Sequence, residues 1–293
     1  MIQWWIDSLH RETGGDYTGI RVLVIDKFFG TPGRHPIIPR EMSHVFEHHP
    51  VKPSVWQGPH RLTKEDWWDV PGARNTALCY APDGWIVFCD DLSVLMPGFL
   101  ARVREAAAAN NIVCGSYRKV KKLIVNNGAV VSFEDFPGGF DGRRTHARGT
   151  GVTPCRGQWM YGCCLAAPVE AFLSINGYDE RCCGLSFEDC ITGIHLEKKG
   201  WKFVFDPLMQ TYESEEHHHA ESSAKRSDYG KSPLDKSHAI LDLANTGDGW
   251  CPNDFCGKTL RELRDEILVG ASFPIPTKPD REWFTGTPLA ELT

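Results

Sequence analysis

GARNTALCYAPDGWIVFCDD, residues 72–91, reads as a helix, a turn and a buried strand closed by two acids. Ala73, Ala77 and Leu78 suit one face of a short helix, and Pro82-Asp83-Gly84 is a turn sequence. WIVFC (85–89) is a continuous apolar run, the pattern of a strand covered on both faces. Asp90 and Asp91 follow it directly. Two adjacent carboxylates repel. A divalent cation or ribose hydroxyls would relieve that cost, and hard oxygen ligands suit Mg2+ or Mn2+. On its own the pair reads equally as a turn cap beside a solvated acid.

The pattern extends to both sides. QWWIDSLHRET (3–13) places Trp5, Ile6 and Leu9 on one helical face, and Gly14-Gly15 stop the helix. IRVLVID (20–26) is another apolar run ending in an acid, Asp26, while the Pro-, Gly- and His-rich stretch to about residue 60 has no periodicity and reads as a surface loop. Beyond the acids, Pro97 precedes the helix FLARVREAAAA, and IVCGS (112–116) is a third strand. Lys119, Lys121 and Lys122 alternate with apolar residues, as in a charged edge strand. Residues 134–158 form a Gly- and Arg-rich loop. Helices are expected over 167–177 and 186–200, the second closed by Gly200, and WKFVFDP (201–207) is a strand ended by Asp206-Pro207. Short helical pieces, 234–244 and 258–269, follow a polar run.

Strands alternating with helices predict an α/β layer fold with a mostly parallel central sheet flanked by helices. Ligands of such sheets bind beyond the carboxyl ends of the strands, where Asp26, Asp90 and Asp91 all fall. The 293 residues carry a net charge of −6, which argues against bulk attraction to nucleic acid but leaves room for a local basic patch. No stretch approaches the roughly 20 apolar residues of a membrane span, and the N-terminus lacks a secretory pattern. Eleven cysteines, an odd number with adjacent pairs at 163–164 and 182–183, fit reduced thiols in a cytoplasmic protein better than a disulfide framework.

The 72–91 stretch, together with YGCCLAAPVEAFLSINGYDERCCGLSFEDCITGIHLEKKGWKFVFDP (161–207), resembles family-2 glycosyltransferases of the GT-A, nucleotide-diphospho-sugar type. The shared features are an Arg-Asn helix, a strand ending in acids, an N-G-Y-D-E turn, an E-D pair opening a helix, and K-K-G before a strand. Their order covers 70–210 well and 3–30 weakly. The resemblance implies one GT-A-like domain over 1–212, its donor half about 1–116 and its acceptor half about 117–212, with 213–293 as a C-terminal extension. It implies a nucleotide-sugar donor, UDP being the expected nucleotide, a Mn2+ or Mg2+ cofactor, and inversion at the anomeric carbon.

The resemblance also implies roles. Asp26 reaches the nucleotide base, Arg74 the diphosphate or a local carboxylate, and Asp90 the ribose, with Gly162 also on the donor side. Asp91 binds the metal, with Glu213 or one of His217, His218 and His219 completing the set. Asp189 is the general base, beside Glu188. Two departures stand out. Leu92 replaces the last acid of the usual D-x-D, and the chain opens at a helix where similar enzymes open with a strand. Arg143, Arg144, Arg148 and Arg156, with His146, Trp159 and Tyr161, suit phosphate contacts plus stacking, toward either the acceptor or the donor diphosphate. Acceptor contacts are assigned to Arg148, Arg156, Trp159 and Tyr161. The acceptor is a glycan, a small molecule or, by a looser resemblance to phage-type enzymes, hydroxymethylated DNA, with no membrane partner expected. The competing readings are a nucleotidyltransferase, for which no phosphate loop is visible, and a binding module without chemistry.

Overall fold

The computed structural model describes residues 2–26, 29–30, 32, 36–53, 69–147, 149, 151–182, 187–217 and 233–275, with 217 and 233–237 as backbone alone. In chain order they form α1 (Ile2–Thr13), β1 (Val22–Asp26), β2 (Phe46–Pro50), α2 (Val70–Tyr80), β3 (Trp85–Cys89), β4 (Ser93–Leu95) and α3 (Phe99–Ala108). Then come β5 (Ile112–Asn126), β6 (Ala129–Phe140), β7 (Thr153–Cys155), β8 (Cys164–Pro168), α4 (Val169–Leu173), α5 (Glu188–Lys198), β9 (Phe203–Ser214), α6 (Pro233–Thr246) and α7 (Leu260–Leu268).

The fold is mixed α/β, a central sheet flanked by helices. A seven-stranded sheet runs β3-β8-β5-β9-β4, with β6 paired to β5 and β7 to β9, while β1 and β2 form a small parallel sheet of their own. Strand direction differs from the mostly parallel expectation. Within the large sheet β5 and β9 are parallel, whereas β3–β8, β5–β8, β4–β9, β5–β6 and β7–β9 are antiparallel. An apolar run reports burial on two faces but not direction. The deciding strand, β8, is CLAAP, too short and too rich in small residues to stand out from its sequence.

Three further differences have local causes. β2, FEHHP, lies in the stretch read as loop; it lacks apolar alternation and is held by its parallel ladder to β1. Lys119 lies inside the long β5 between β6 and β9, whereas Lys121 and Lys122 lie past the end of the β9 ladder and are paired to β6 alone. Pro207 does not end its strand. The β5–β9 ladder passes from Gly115–Asp206 to Ser116–Gln210, so Pro207, which has no N–H to donate, sits in a bulge and the strand resumes beyond it. Beyond that bulge Glu213 stands in register with Ser93 of β4 and Lys119 of β5.

Two main cores cover the sheet faces. Ile6, Leu9, Leu95, Phe99 and Met209 pack under α1 and α3. Leu78, Phe88, Phe172, Tyr178 and Phe205 pack under α2 and α4. In the second, the Phe88, Phe172 and Tyr178 rings meet at 5.3–5.7 Å, each contact contributing ~0.5–1.5 kcal/mol beyond burial. Leu260, Leu263 and Ile267 of α7 join this core, so residues beyond 213 share it with the sheet. The ten described cysteines are free thiols, and among the described residues no helix is long and apolar enough to cross a membrane.

Candidate active site

The two stretches that carry the sequence pattern are tied by one asparagine. Asn75 on α2 donates to the carbonyl of Tyr178 and to Glu180, both at 2.9 Å, and accepts from the Tyr178 N–H at 2.8 Å. The turn it holds has left-handed backbone at Asn176 and Gly177, and a Cβ on Gly177 would stand 2.4 Å from the Asn75 side chain. The asparagine of the 72–91 stretch is therefore structural, and it sets α2 against the segment that leads into α5.

One residue earlier on α2, Arg74 reaches the acids that open α5. Its guanidinium meets the Asp189 carboxylate and lies 3.5 Å from Glu188. The second Asp189 oxygen accepts the N–H of Gly162 at 2.7 Å. A Cβ at 162 would fall 1.8 Å from Arg74 Nη2, so a side chain there would displace the guanidinium. Glu188 and Asp189 open α5, where helix N-terminal amides favour negative charge. Gly193 lets the same helix lie against Gly157, the carbonyl of which would be 1.9 Å from any Cβ. Arg74 is stacked over the Tyr178 ring at 5.0 Å. Burial opposes its charge, but Asp189, Tyr178 and Glu188 more than offset that and raise its pKa.

The negative charge around Arg74 exceeds what it can answer. Burial raises the Asp90 carboxyl, with Asp189 and Asp91 adding to the rise against the pull of Arg74. Burial and Asp189 push Glu188 up to about 8. Across the sheet Glu213, in register with Ser93, is pushed up to about 8 by burial and by Asp90. Its Oε2 is buried and accepts no hydrogen bond, although Lys119 Nζ stands at 3.8 Å. Asp91, by contrast, is exposed.

These acids fit a hard divalent cation by donor type: all are oxygens, they repel one another, and one buried oxygen lacks a hydrogen-bond partner. Asp91 and Glu213 are the residues that would hold it. Among the described residues no group of three or more His, Cys, Asp or Glu side chains is placed so that it could hold a metal ion. His217 ends a short 3-10 turn, with only its backbone described, and His218 and His219 lie outside the described residues.

The other expected residues are dispersed. Asp26 lies on the small sheet with His48 Nε2 at 3.2 Å. Arg148 lies outside the described residues. Arg156 is exposed and pairs with Glu197 on α5 at 2.6 Å. Trp159 and Tyr161 line a cavity of about 250 Å³ together with Tyr117, Asp141, Arg143 and His146. Sequence reasoning missed Lys119 as a partner of the acids and Tyr117 as a cavity wall. Both lie on the part of β5 past Gly115, and their alternation with apolar neighbours was a strand signal without any mark of what the strand faces. It also missed Tyr178, a fully buried hydroxyl without a hydrogen bond beside Arg74.

No protein-family model and no curated protein sequence matches the chain. Solved structures similar to it include S. aureus TarS, at 12% identity and a TM-score of 0.45, covering 82% of this chain and 39% of that one. GalNAc-T7 with UDP, GalNAc and Mn2+ is similar at 12% identity and a TM-score of 0.45, covering 87% and 52%. A mannosyltransferase from Pyrobaculum calidifontis, in complex with GDP-Man and Mn2+, matches at 12% identity and a TM-score of 0.42, covering 92% and 72%. The chain thus spans 39% and 52% of the first two proteins' lengths.

Proposed function

We propose that the chain is a metal-dependent, GT-A-like glycosyltransferase that moves a sugar from a nucleotide-diphosphate sugar, with UDP the expected nucleotide, to a hydroxyl acceptor. The observation that carries this reading is the convergence of Asp90 at the end of β3 and Glu188-Asp189 at the start of α5 on Arg74, with Glu213 on β9 acting on the far side of Asp90.

Asp189 is the base in this reading. It accepts from Arg74 and from the Gly162 N–H, while its neighbour Glu188 is buried and pushed toward its neutral form. Two adjacent carboxyls in such different settings take different roles. Asp189 takes the acceptor's hydroxyl proton as that oxygen bonds to the anomeric carbon. The bond from that carbon to the diphosphate oxygen breaks, and the nucleoside diphosphate leaves with the electron pair. Direct displacement inverts the anomeric centre. Arg74 keeps Asp189 oriented, and Asp90 is placed to accept from ribose hydroxyls. A divalent cation held by Asp91 and Glu213 would neutralise charge on the departing diphosphate.

The test is donor turnover. The chain is incubated with a panel of UDP- and GDP-sugars, with Mn2+ or with a chelator, and released nucleoside diphosphate is measured. Cation-dependent release that Asp90→Asn abolishes is expected. The reading fails if no nucleotide sugar is bound or consumed under either condition.

A further inference from the structure

The arginines of residues 143–156 look, by composition, like a site for a polyanion. The partners of the three described ones, Arg143, Arg144 and Arg156, are internal. Arg143 is buried; its Nε donates to Asp141 at 2.9 Å, its Nη2 to Asp141 at 2.8 Å and to the Gly115 carbonyl at 2.7 Å, and its Nη1 to the Trp159 carbonyl. Four of its five N–H donors are thereby occupied and its charge is matched by one carboxylate. Arg144 Nη1 donates to Ser116 Oγ at 3.1 Å and to the Pro207 carbonyl at 2.9 Å. Arg156 is held by Glu197 and does not line the cavity.

With the Arg143 charge answered by Asp141, the described lining of the cavity presents aromatic faces and neutral polar groups. The Tyr117 and Tyr161 rings meet at 6.1 Å, Arg143 lies flat over Tyr161 at 4.2 Å, and His146 abuts Trp159 at 5.8 Å. Among the described residues nothing hydrogen-bonds the hydroxyls of Tyr117 and Tyr161 or the indole N–H of Trp159. At about 250 Å³ the cavity falls below the ~300–1,000 Å³ of clefts for drug-sized ligands, so it has room for a single ring. It also opens beside the proposed base, since Tyr161 adjoins Gly162, the N–H of which is on Asp189.

We propose that this cavity is the acceptor subsite and that it takes one neutral, polyhydroxylated ring, a pyranoside, in preference to a polyanion. An aromatic wall matches the apolar C–H face of such a ring. Uncommitted O–H and N–H groups match its hydroxyls, whereas among the described lining residues a phosphate or carboxylate finds only the Arg143 guanidinium, which Asp141 already pairs. The assignment of the cavity to the acceptor rests on the transferase reading above; the preference for a neutral ring does not.

Binding without donor separates the two. Saturation-transfer NMR on the whole chain compares methyl glucopyranoside and methyl N-acetylglucosaminide with glucuronate, an anionic ring of the same size, and with a hydroxymethylated single-stranded oligonucleotide. The neutral glycosides are expected to bind more tightly than glucuronate and the oligonucleotide. Tyr117→Phe and Tyr161→Phe, which keep the ring and remove one hydroxyl, are each expected to weaken glycoside binding about three- to tenfold at an unchanged thermal midpoint. The proposal is overturned if glucuronate or the oligonucleotide binds as well as the glycosides, if no glycoside binds, or if both Phe variants bind like wild type. Glycoside binding without any consumption of nucleotide sugars would sink the transferase reading and leave the neutral-ring site standing. Donor cleavage without glycoside binding would do the reverse.

Discussion

The acids around Arg74 and the arginines around the cavity are two charged regions of the molecule, and they dispose of charge in opposite ways. Arg143 is closed into a pair with Asp141 and capped by two carbonyls. Asp90, Glu188 and Glu213 are packed toward one another with only Arg74 and Lys119 to answer them, and burial plus mutual repulsion raises all three. A buried charge with its partners in place is architecture. Buried charges left in excess are a cost that the fold keeps only where something else is to be bound. By that measure the acids are the proposed chemical centre, and Arg143 belongs to the wall of the cavity.

The sharpest way to break this contrast is to neutralise one acid. Asp189→Asn should lower transfer by about a hundred- to ten-thousandfold, the usual share of a general base, while nucleotide-sugar binding by calorimetry persists. Transfer that survives would place the base elsewhere. On the other side, Arg143→Ala leaves Asp141 buried and unpaired, and should cost about 3–5 kcal/mol in denaturant unfolding. If the variant is as stable as wild type but loses acceptor binding, the arginine is a ligand contact and the contrast fails.

A smaller effect tests α5, the helix that presents the acids. Near its C-terminal end His195 is buried, neither ring nitrogen has a hydrogen-bond partner, and burial lowers its pKa from 6.5 to about 4 against the opposing pull of Asp179. The unfolded chain binds this proton more readily, so the neutral ring favours folding above pH 6.5, and that contribution is lost as pH falls toward 4. Unfolding free energy should therefore drop across this window, and drop less in His195→Leu; parallel pH profiles for the two would remove His195 as the cause. The smallest expected effect is at Arg156, which is exposed and in a surface pair. Arg156→Ala should change stability by no more than about 0.5 kcal/mol and leave glycoside binding as it was. A large loss of binding would return the arginine to the acceptor site.

Much of the frame was legible along the chain. The apolar runs 20–26 and 85–89 and the helices at 3–13, 70–80 and 188–198 are where their periodicity puts them, because burial on one face leaves its spacing in the sequence. β2 and β8 were not legible, since FEHHP and CLAAP carry no alternation and owe their strands to neighbours already in place. Within the site, Asp90 and Glu188-Asp189 stood out as acids at a strand end and a helix start. Lys119 and Tyr117 did not, because which face of β5 meets the site depends on a ladder shift at Gly115 that no local signal announces.

The amino-acid order by itself determined which residues are acids at element ends and which stretches must be covered, since both follow from local spacing and from the cost of leaving apolar surface in water. Only the tertiary structure decided which charges are answered. Arg143 and Asp141 are two residues apart and pair locally, but Gly115 and Trp159 complete the arginine's partners from elsewhere in the chain. Arg74 reaches Asp189 across 115 residues. A composition counts arginines and carboxylates as equals. Burial and the nearest opposite charge separate a wall from a reactive centre, and both are properties of three-dimensional packing.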